Sequence, residues 1–211
     1  MPVIKDKEYR RGLMDETRVI ESMREAGHDV RESSHIENCE QDIDCWVGET
    51  PISIKSQAAA RKTGRIVLEL EVKKVIDRYA SPVSCDPDDY EYRWEKSWFW
   101  NGKADKYLIL VGERLLVVPT DKLKCLVKGR LAGDGNPNVY ITEGNKPETV
   151  RRQMQAGHAH HDARLALVNV QSLVSSGIAT WVAMPPNPQG KPAQVKVLNK
   201  NYKLYQPEGL V

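Results

Sequence analysis

The sequence contains no long apolar run and no large excess of one charge. None of its apolar stretches approaches the roughly 18 residues of a membrane-spanning helix, and residues 1–12 hold no apolar signal-peptide region. We therefore expect a cytoplasmic protein with no membrane partner. The 31 basic and 29 acidic residues leave a net charge of +2, so contacts with nucleic-acid phosphates must come from local basic patches.

Paired cysteines and nucleotide-binding loops are missing as well. The four cysteines are scattered and none forms a CxxC pair, so reduced thiols are a better prediction than a zinc cage or a disulfide framework. There is no Walker A loop and no GxGxxG, so nothing indicates a nucleotide-driven motor. The cysteines are Cys39, Cys45, Cys85 and Cys125.

Hydrophobic periodicity predicts an α/β fold. Residues 5–26 are predicted to form a helix, because apolar side chains recur near one face and Gly27 follows at the usual helix-ending position. Short strands separated by turns come after it. They are predicted at residues 43–47, 52–57, 65–72, 107–111 and 115–118. With a further helix starting in 121–127, this order favours a mixed central sheet flanked by helices.

The remaining segments are predicted to be loops and one further helical region. A loop is expected over residues 80–103, and a loop or boundary over 129–147, where Gly, Pro and Asn are frequent. Residues 148–176 are predicted to be helical. We expect a core over residues 1–130 and a C-terminal extension over 131–211 that packs on it.

Three residues on two predicted strands indicate a chemistry. Asp44 lies on the first strand, while Ser53 and Lys55 are two apart on the next, so their side chains share a face. Phosphodiester hydrolysis needs carboxylates to hold a divalent cation and a lysine near the attacking water or the developing charge. An aspartate followed on the next strand by acid-x-lysine supplies both. Here the acid position is occupied by Ser53.

A carboxylate on the following strand could replace the missing acid. If the strand with Lys55 and the strand with Glu69 form a hairpin centred near Arg61, Glu69 lies opposite Ser53, with Cβ atoms about 5 Å apart. Glu69 could then reach the same metal, and Glu71 is the alternative on the same face. A register shift of one residue would turn both acids away.

This pattern resembles the archaeal Holliday-junction resolvases of the PD-(D/E)XK nuclease superfamily. Those proteins begin with a glycine, a glutamate and a second glycine, followed by a strand with aspartate and a strand with glutamate-x-lysine. The matching residues here are Gly12, Glu16, Gly27, Asp44 and Ser53-Ile54-Lys55. The segments SIKSQAAARKTGRIVLELE and NGKADKYLILVGERLLVVPTDKL also resemble phage-type nucleases of the superfamily. The resemblance covers residues 10–127.

The resemblance implies a restriction-endonuclease-like core and an endodeoxyribonuclease that depends on Mg²⁺ or Mn²⁺. It implies that Glu16, Asp44 and Lys55 lie at the active site and that Gln57 orients the attacking water. Lys55 would position the water or stabilise charge in the transition state. The predicted metal ligands are Asp44, Glu69, Glu16 and the main-chain carbonyl of Ile54.

A basic loop is predicted to contact DNA. Arg61, Lys62 and Arg65 lie at the mouth of the predicted hairpin, where their charges could meet phosphates. The alternative is an ordinary solvated turn. DNA is therefore the expected partner, and assembly as a homodimer is left open.

Two groups of residues each have two possible roles. Trp94, Trp98 and Trp100 could stack on bases, although packing in a core is favoured. The cluster of His158, His160 and His161 could bind a metal on a helix face, although a solvated or capping role is favoured.

The central assignment also has alternatives. Asp42 shares a face with Asp44 and is the alternative metal ligand. The whole chain could be a binding module that kept the fold and lost the chemistry through Ser53. It could also be an interaction protein in which residues 130–211 form a partner surface.

Overall fold

The computed structural model describes residues 6–75, 92–142 and 162–184. The helices are α1 (Asp6–Glu25), α2 (His35–Gln41), α3 (Ala60–Thr63), α4 (Trp98–Asn101), α5 (Thr120–Leu131) and α6 (Val170–Ser175). The strands are β1 (Val30–Glu32), β2 (Cys45–Val47), β3 (Thr50–Ser56), β4 (Arg65–Val75), β5 (Tyr92–Lys96), β6 (Lys106–Val111), β7 (Arg114–Pro119), β8 (Val139–Ile141), β9 (Asp162–Asn169) and β10 (Thr180–Ala183). The expected α/β class with a mixed sheet is confirmed.

The chain divides into two compact units. Within the described residues, the first unit comprises the chain up to Arg65, Gly102–Leu123 and the segment from Val170 onward. The second comprises Ile66–Asn101 and Lys124–Asn169. This division differs from the boundary expected near residue 130, because β10 joins the sheet of the first unit by pairing with β7.

The first unit contains a six-stranded mixed sheet in the order β1-β2-β3-β6-β7-β10. Strands β3 and β6 run parallel, with Ile54 opposite Leu108, while the other neighbouring strands are antiparallel. The turn between β6 and β7 passes through Gly112 at φ +67, a backbone conformation that glycine adopts without steric cost. The second unit contains a four-stranded sheet in the order β5-β4-β9-β8.

The predicted hairpin between β3 and β4 is wrong. β3 has β2 on one edge and β6 on the other, so Ser53 lies opposite Tyr107 of β6 and not opposite Glu69. The residues between β3 and β4 form α3, which ends at Gly64 in the left-handed conformation. A hairpin turn centred near Arg61 is therefore replaced by a helical turn, and β4 pairs with β5 and β9.

Two other secondary-structure predictions also fail. Residues 162–169 form β9 and not a helix, and residues 92–96 form β5 within a segment expected to be a loop. Both strands gain their hydrogen bonds from partners distant in sequence, since β9 pairs with β8 and β5 with β4. The helical prediction holds only at α6 within the described residues, and the histidines at 158, 160 and 161 lie outside them.

The apolar face of α1 packs on the sheet of the first unit. Val19, Ile20 and Met23 form one core cluster with Ile52 and Ile54 of β3. Burying side chains of this size stabilises the fold by about 1.5–3 kcal/mol each. The alternation expected for β3 is confirmed, because these two isoleucines face the core.

The aromatic segment of the second unit packs around Phe99, which is fully buried. The rings of Trp98 and Trp100 meet that of Phe99 edge to face, at centroid distances of 6.1 and 4.7 Å. These contacts support a packing role for this segment. In the part of the chain described here, no helix is long and apolar enough to cross a membrane.

Candidate active site

The site begins with α2, which the sequence analysis missed. Ser34 caps this helix, and Ser34 and Glu37 exchange reciprocal side-chain-to-backbone hydrogen bonds in a capping box. The Glu37 carboxylate also accepts hydrogen bonds from Arg31 and from the Trp46 indole. The bonds from Arg31 and Ser34 lower the pKa of Glu37 to about 2. The Ser-x-x-Glu spacing is the signal by which this helix could have been recognised.

Asp42 ends α2 in the left-handed conformation, with φ 54° and ψ 42°. Its backbone N–H bonds to the carbonyl of Glu37, and aspartate is one of the few residue types that enter this region readily. The chain then turns towards β2, and Asp44 lies two residues after Asp42, immediately before that strand. Both carboxylates therefore enter the site immediately before β2.

Lys55 and Ser53 of β3 contact these two aspartates. Lys55 Nζ donates to Asp42 Oδ1 at 2.5 Å. Ser53 Oγ lies 3.1 Å from Asp42 Oδ2 and 3.2 Å from Asp44 Oδ2. A hydroxyl has one proton to donate, so Ser53 can serve one carboxylate at a time. Ser53 is completely buried, and it links the two acids.

Asp44 is held by backbone and side-chain donors. Its Oδ2 accepts the Ile54 N–H at 2.5 Å, and its Oδ1 accepts from Asn38 Nδ2 at 2.8 Å. The N–H and carbonyl of one strand residue point to the same side. The Ile54 carbonyl therefore faces the same edge as Asp44, which is compatible with the predicted main-chain ligand.

Glu16 enters the site from α1. It lies three, four and seven residues before the buried Val19, Ile20 and Met23, so it shares their face and points towards the sheet. Burial, followed by the negative charge of Asp44, raises the pKa of Glu16 to about 7. Lys55 opposes this shift. Glu16 is therefore close enough to Asp44 and Lys55 for their charges to act on its carboxyl.

Burial also governs the acidity of Asp42. Withdrawal from water raises the pKa of this carboxyl, while the Lys55 ammonium acts in the opposite direction. Burial and the nearby Asp42 charge raise the pKa of the Tyr107 hydroxyl. Asp42 and Asp44 are thus joined through Ser53, and one of them is paired with Lys55.

The oxygen atoms of the site are possible ligands of a divalent cation. Among residues 6–75, 92–142 and 162–184, no group of three or more His, Cys, Asp or Glu side chains is placed to hold a metal ion. Mg²⁺, however, usually keeps several waters and is bound through one or two carboxylates together with substrate phosphates. Asp42 and Asp44, which share the Ser53 hydroxyl, fit that requirement.

The strand pairing that would have placed the acids of β4 at the metal site is not found in the described residues. Glu69 was expected at the site, with Glu71 as its alternative, because β4 was expected beside β3, and that pairing is wrong. Glu71 instead forms an ion pair with Arg164 at 2.9 Å. The Arg164 guanidinium also lies 5.0 Å from the centroid of the Trp94 ring.

The remaining predicted residues follow β3. Gln57 comes one residue after the strand, and its N–H bonds to the Leu110 carbonyl at 2.8 Å. Arg61 and Lys62 lie on α3 and Arg65 begins β4, and all three are exposed.

Comparisons of the chain with protein-family models, with curated proteins and with solved structures found no match.

Proposed function

We propose that the protein is a metal-dependent DNA nuclease with a restriction-endonuclease-like core. The observation that supports this most directly is the convergence of Asp42, Asp44, Ser53 and Lys55 where β2 and β3 meet. Glu16 adds a third carboxylate from α1. Carboxylates that hold a divalent cation and a lysine beside them can together promote hydrolysis of a phosphodiester.

Asp42 and Asp44 would hold Mg²⁺ or Mn²⁺, with the Ile54 carbonyl as a further oxygen donor. Asp42 is included because its carboxylate and that of Asp44 lie around the same Ser53 hydroxyl. A bound divalent ion would polarise the phosphoryl oxygen and lower the pKa of water. Glu69 is no longer among the proposed ligands.

Glu16 would act as the general base, and Lys55 would stabilise negative charge. A carboxylate with a pKa of about 7 can accept a proton from the attacking water at neutral pH. The water oxygen would bond to phosphorus as the phosphorus bond to the leaving oxygen breaks, and that oxygen would then take up a proton. The Lys55 ammonium would stabilise the negative charge that develops on the phosphate oxygens.

The test is a cleavage assay on linear, circular and branched DNA with Mg²⁺, Mn²⁺ or EDTA. We expect cleavage that requires a divalent ion and is lost in Lys55→Met. Lys128→Met is the matched control, because Lys128 is exposed on α5 and its loss changes the net charge equally. Cleavage that persists in Lys55→Met, or in EDTA, would contradict the proposal.

The alternative is a DNA-binding protein that kept the fold without the chemistry. The observation that favours it is the buried Ser53 at the position where an acid is expected. Binding of DNA by the wild-type protein, with no cleavage under any metal condition, would support this alternative over the nuclease.

A further inference from the structure

A second feature of the first unit is a cleft of about 570 Å³. It is lined by residues from α1, α3, the end of β3 and the β6–β7 turn. Three of the lining side chains are basic, namely Arg18, Arg61 and Lys62, and two are acidic, namely Asp15 and Glu113. None of the contacts that define the carboxylate site above uses these five side chains.

Arg18 lines this cleft and carries buried hydrogen-bond donors. Its Nε and Nη2 atoms are buried and make no hydrogen bond within the described residues. Arg18 Nη2 forms an ion pair with Glu113 Oε2 at 3.5 Å, and the two side chains are 20% and 57% exposed. A buried donor without an acceptor costs about 1–3 kcal/mol, and more when it is charged. An anion that reached these atoms from the cleft would give them the hydrogen-bond acceptor they lack.

Arg61 lies across the β6–β7 turn. A Cβ atom built on Gly112 would be 3.1 Å from Arg61 Cδ, so the absence of a side chain at Gly112 lets the arginine pass close to the backbone. Lys62 follows on α3 and is exposed. The two cations therefore border the cleft that Arg18 lines from α1.

The two acidic side chains of the cleft do not cancel the positive charge of its three basic ones. Asp15 accepts a hydrogen bond from Ser56 Oγ at 2.6 Å, and Glu113 is on the exposed turn. The three basic side chains outnumber the two acidic ones. Arginine suits a phosphate here because its planar donors match phosphate oxygens.

The cleft is adjacent in sequence to the carboxylate site on two elements. Asp15 precedes Glu16 on α1, and Ser56 follows Lys55 on β3. Successive side chains of a strand point to opposite faces, so this adjacency brings the cleft near the carboxylate site in the chain without placing the two on one face of β3.

We propose that the cleft binds a phosphate group of the DNA strand outside the carboxylate site, with Arg18 as its principal donor and Arg61 and Lys62 at its rim. This inference rests on the proposed nuclease function for its choice of ligand. The phosphate could be an internal phosphodiester or a terminal phosphate, since both offer the same oxygens.

The experiment measures binding without hydrolysis. Fluorescence anisotropy of a short labelled DNA, with and without a 5′-phosphate, is followed in EDTA over a range of NaCl concentrations for Arg18→Gln, Arg61→Gln and the wild-type protein. Arg24→Gln is the matched control, because Arg24 lies on the same helix but pairs with Glu32 at 2.9 Å. Thermal unfolding checks that each variant is folded. Because Arg61 is exposed, Arg61→Gln still tests the inference if Arg18→Gln does not fold.

We expect Arg18→Gln to raise the Kd about tenfold or more and to reduce the salt slope by about one. Arg61→Gln should weaken binding in the same direction, and Arg24→Gln should bind like the wild type. If removing the 5′-phosphate eliminates the effect of Arg18→Gln, the ligand is the terminal phosphate. If the effect persists, it is an internal phosphodiester.

Equal Kd and salt slope in Arg18→Gln, Arg61→Gln and the wild-type protein would overturn the inference. Should the wild-type protein cleave DNA while these variants bind normally, the cleft proposal alone fails. Should binding depend on Arg18 while no metal supports cleavage, the nuclease proposal alone fails.

Discussion

Lys55 Nζ forms an ion pair with Asp42 Oδ1 at 2.5 Å, with both side chains largely buried. The lysine thus contacts the first of the two aspartates, while Asp44 is held by Ile54 and Asn38. The two carboxylates have different neighbours, so their substitution should have different effects.

The Lys55–Asp42 pair should be strongly coupled. Lys55→Met leaves the Asp42 carboxylate in a buried position without this counter-charge, and we expect the free energy of unfolding to fall by about 1–3 kcal/mol. The double variant with Asp42→Asn should recover much of that loss, because both charges are then gone. Denaturant unfolding of the four proteins gives the coupling energy directly. Strict additivity of the two single losses would show that the pair does not interact.

Asp44→Asn should affect both stability and metal binding. An amide offers one oxygen, so its nitrogen must face either the Ile54 N–H or Asn38 Nδ2, and a loss of about 1–3 kcal/mol is expected. Calorimetric titration should also show weaker Mn²⁺ binding. Asn38→Ala is the control, since it removes a hydrogen bond without removing a charge. Unchanged Mn²⁺ affinity in Asp44→Asn would remove Asp44 as a ligand.

Ser53→Glu should destabilise the protein and should not act as a repair of the motif. The side chain at this position is fully buried beside Asp42 and Asp44, so a longer, charged side chain should cost about 2–4 kcal/mol in EDTA. Ser53→Ala should cost about 0.5–1.5 kcal/mol. Thermal unfolding compares the two, and Mg²⁺ should restore more stability to Ser53→Glu. Equal stability of the two variants in EDTA would refute this expectation.

Glu16→Gln should stabilise the metal-free protein near pH 8. The usual carboxyl pKa of 4.5 rises to about 7 in the fold, so between these values the native state binds a proton that the unfolded state does not. The free energy of unfolding of the wild type therefore falls as pH rises through this interval. The variant lacks this fall and should exceed the wild type by about 1–3 kcal/mol above pH 7.

Denaturant unfolding from pH 4.5 to 8 in EDTA measures the Glu16 effect. Glu40→Gln, at an exposed position on α2, is the control and should follow the wild type. A difference between Glu16→Gln and the wild type that does not change with pH would contradict the shifted pKa.

Local patterns in the sequence were sufficient for several parts of this structure. The 3.6-residue period located α1, and the two-residue period of β3 separated Ile52 and Ile54 from Ser53 and Lys55. Both periods follow from backbone geometry within one element. They are therefore visible without knowledge of the rest of the chain.

The strand neighbours were decided by the tertiary structure. A strand edge offers the same N–H and carbonyl groups to any partner, so the sequence near β3 does not reveal that β6 lies beside it and that β4 joins another sheet. The choice of Asp42 as the partner of Lys55 likewise depends on how α2 ends and how β2 meets β3. The sequence alone determined which residue types were available for the site, whereas long-range pairing determined which of them meet, because those contacts join segments far apart in the chain.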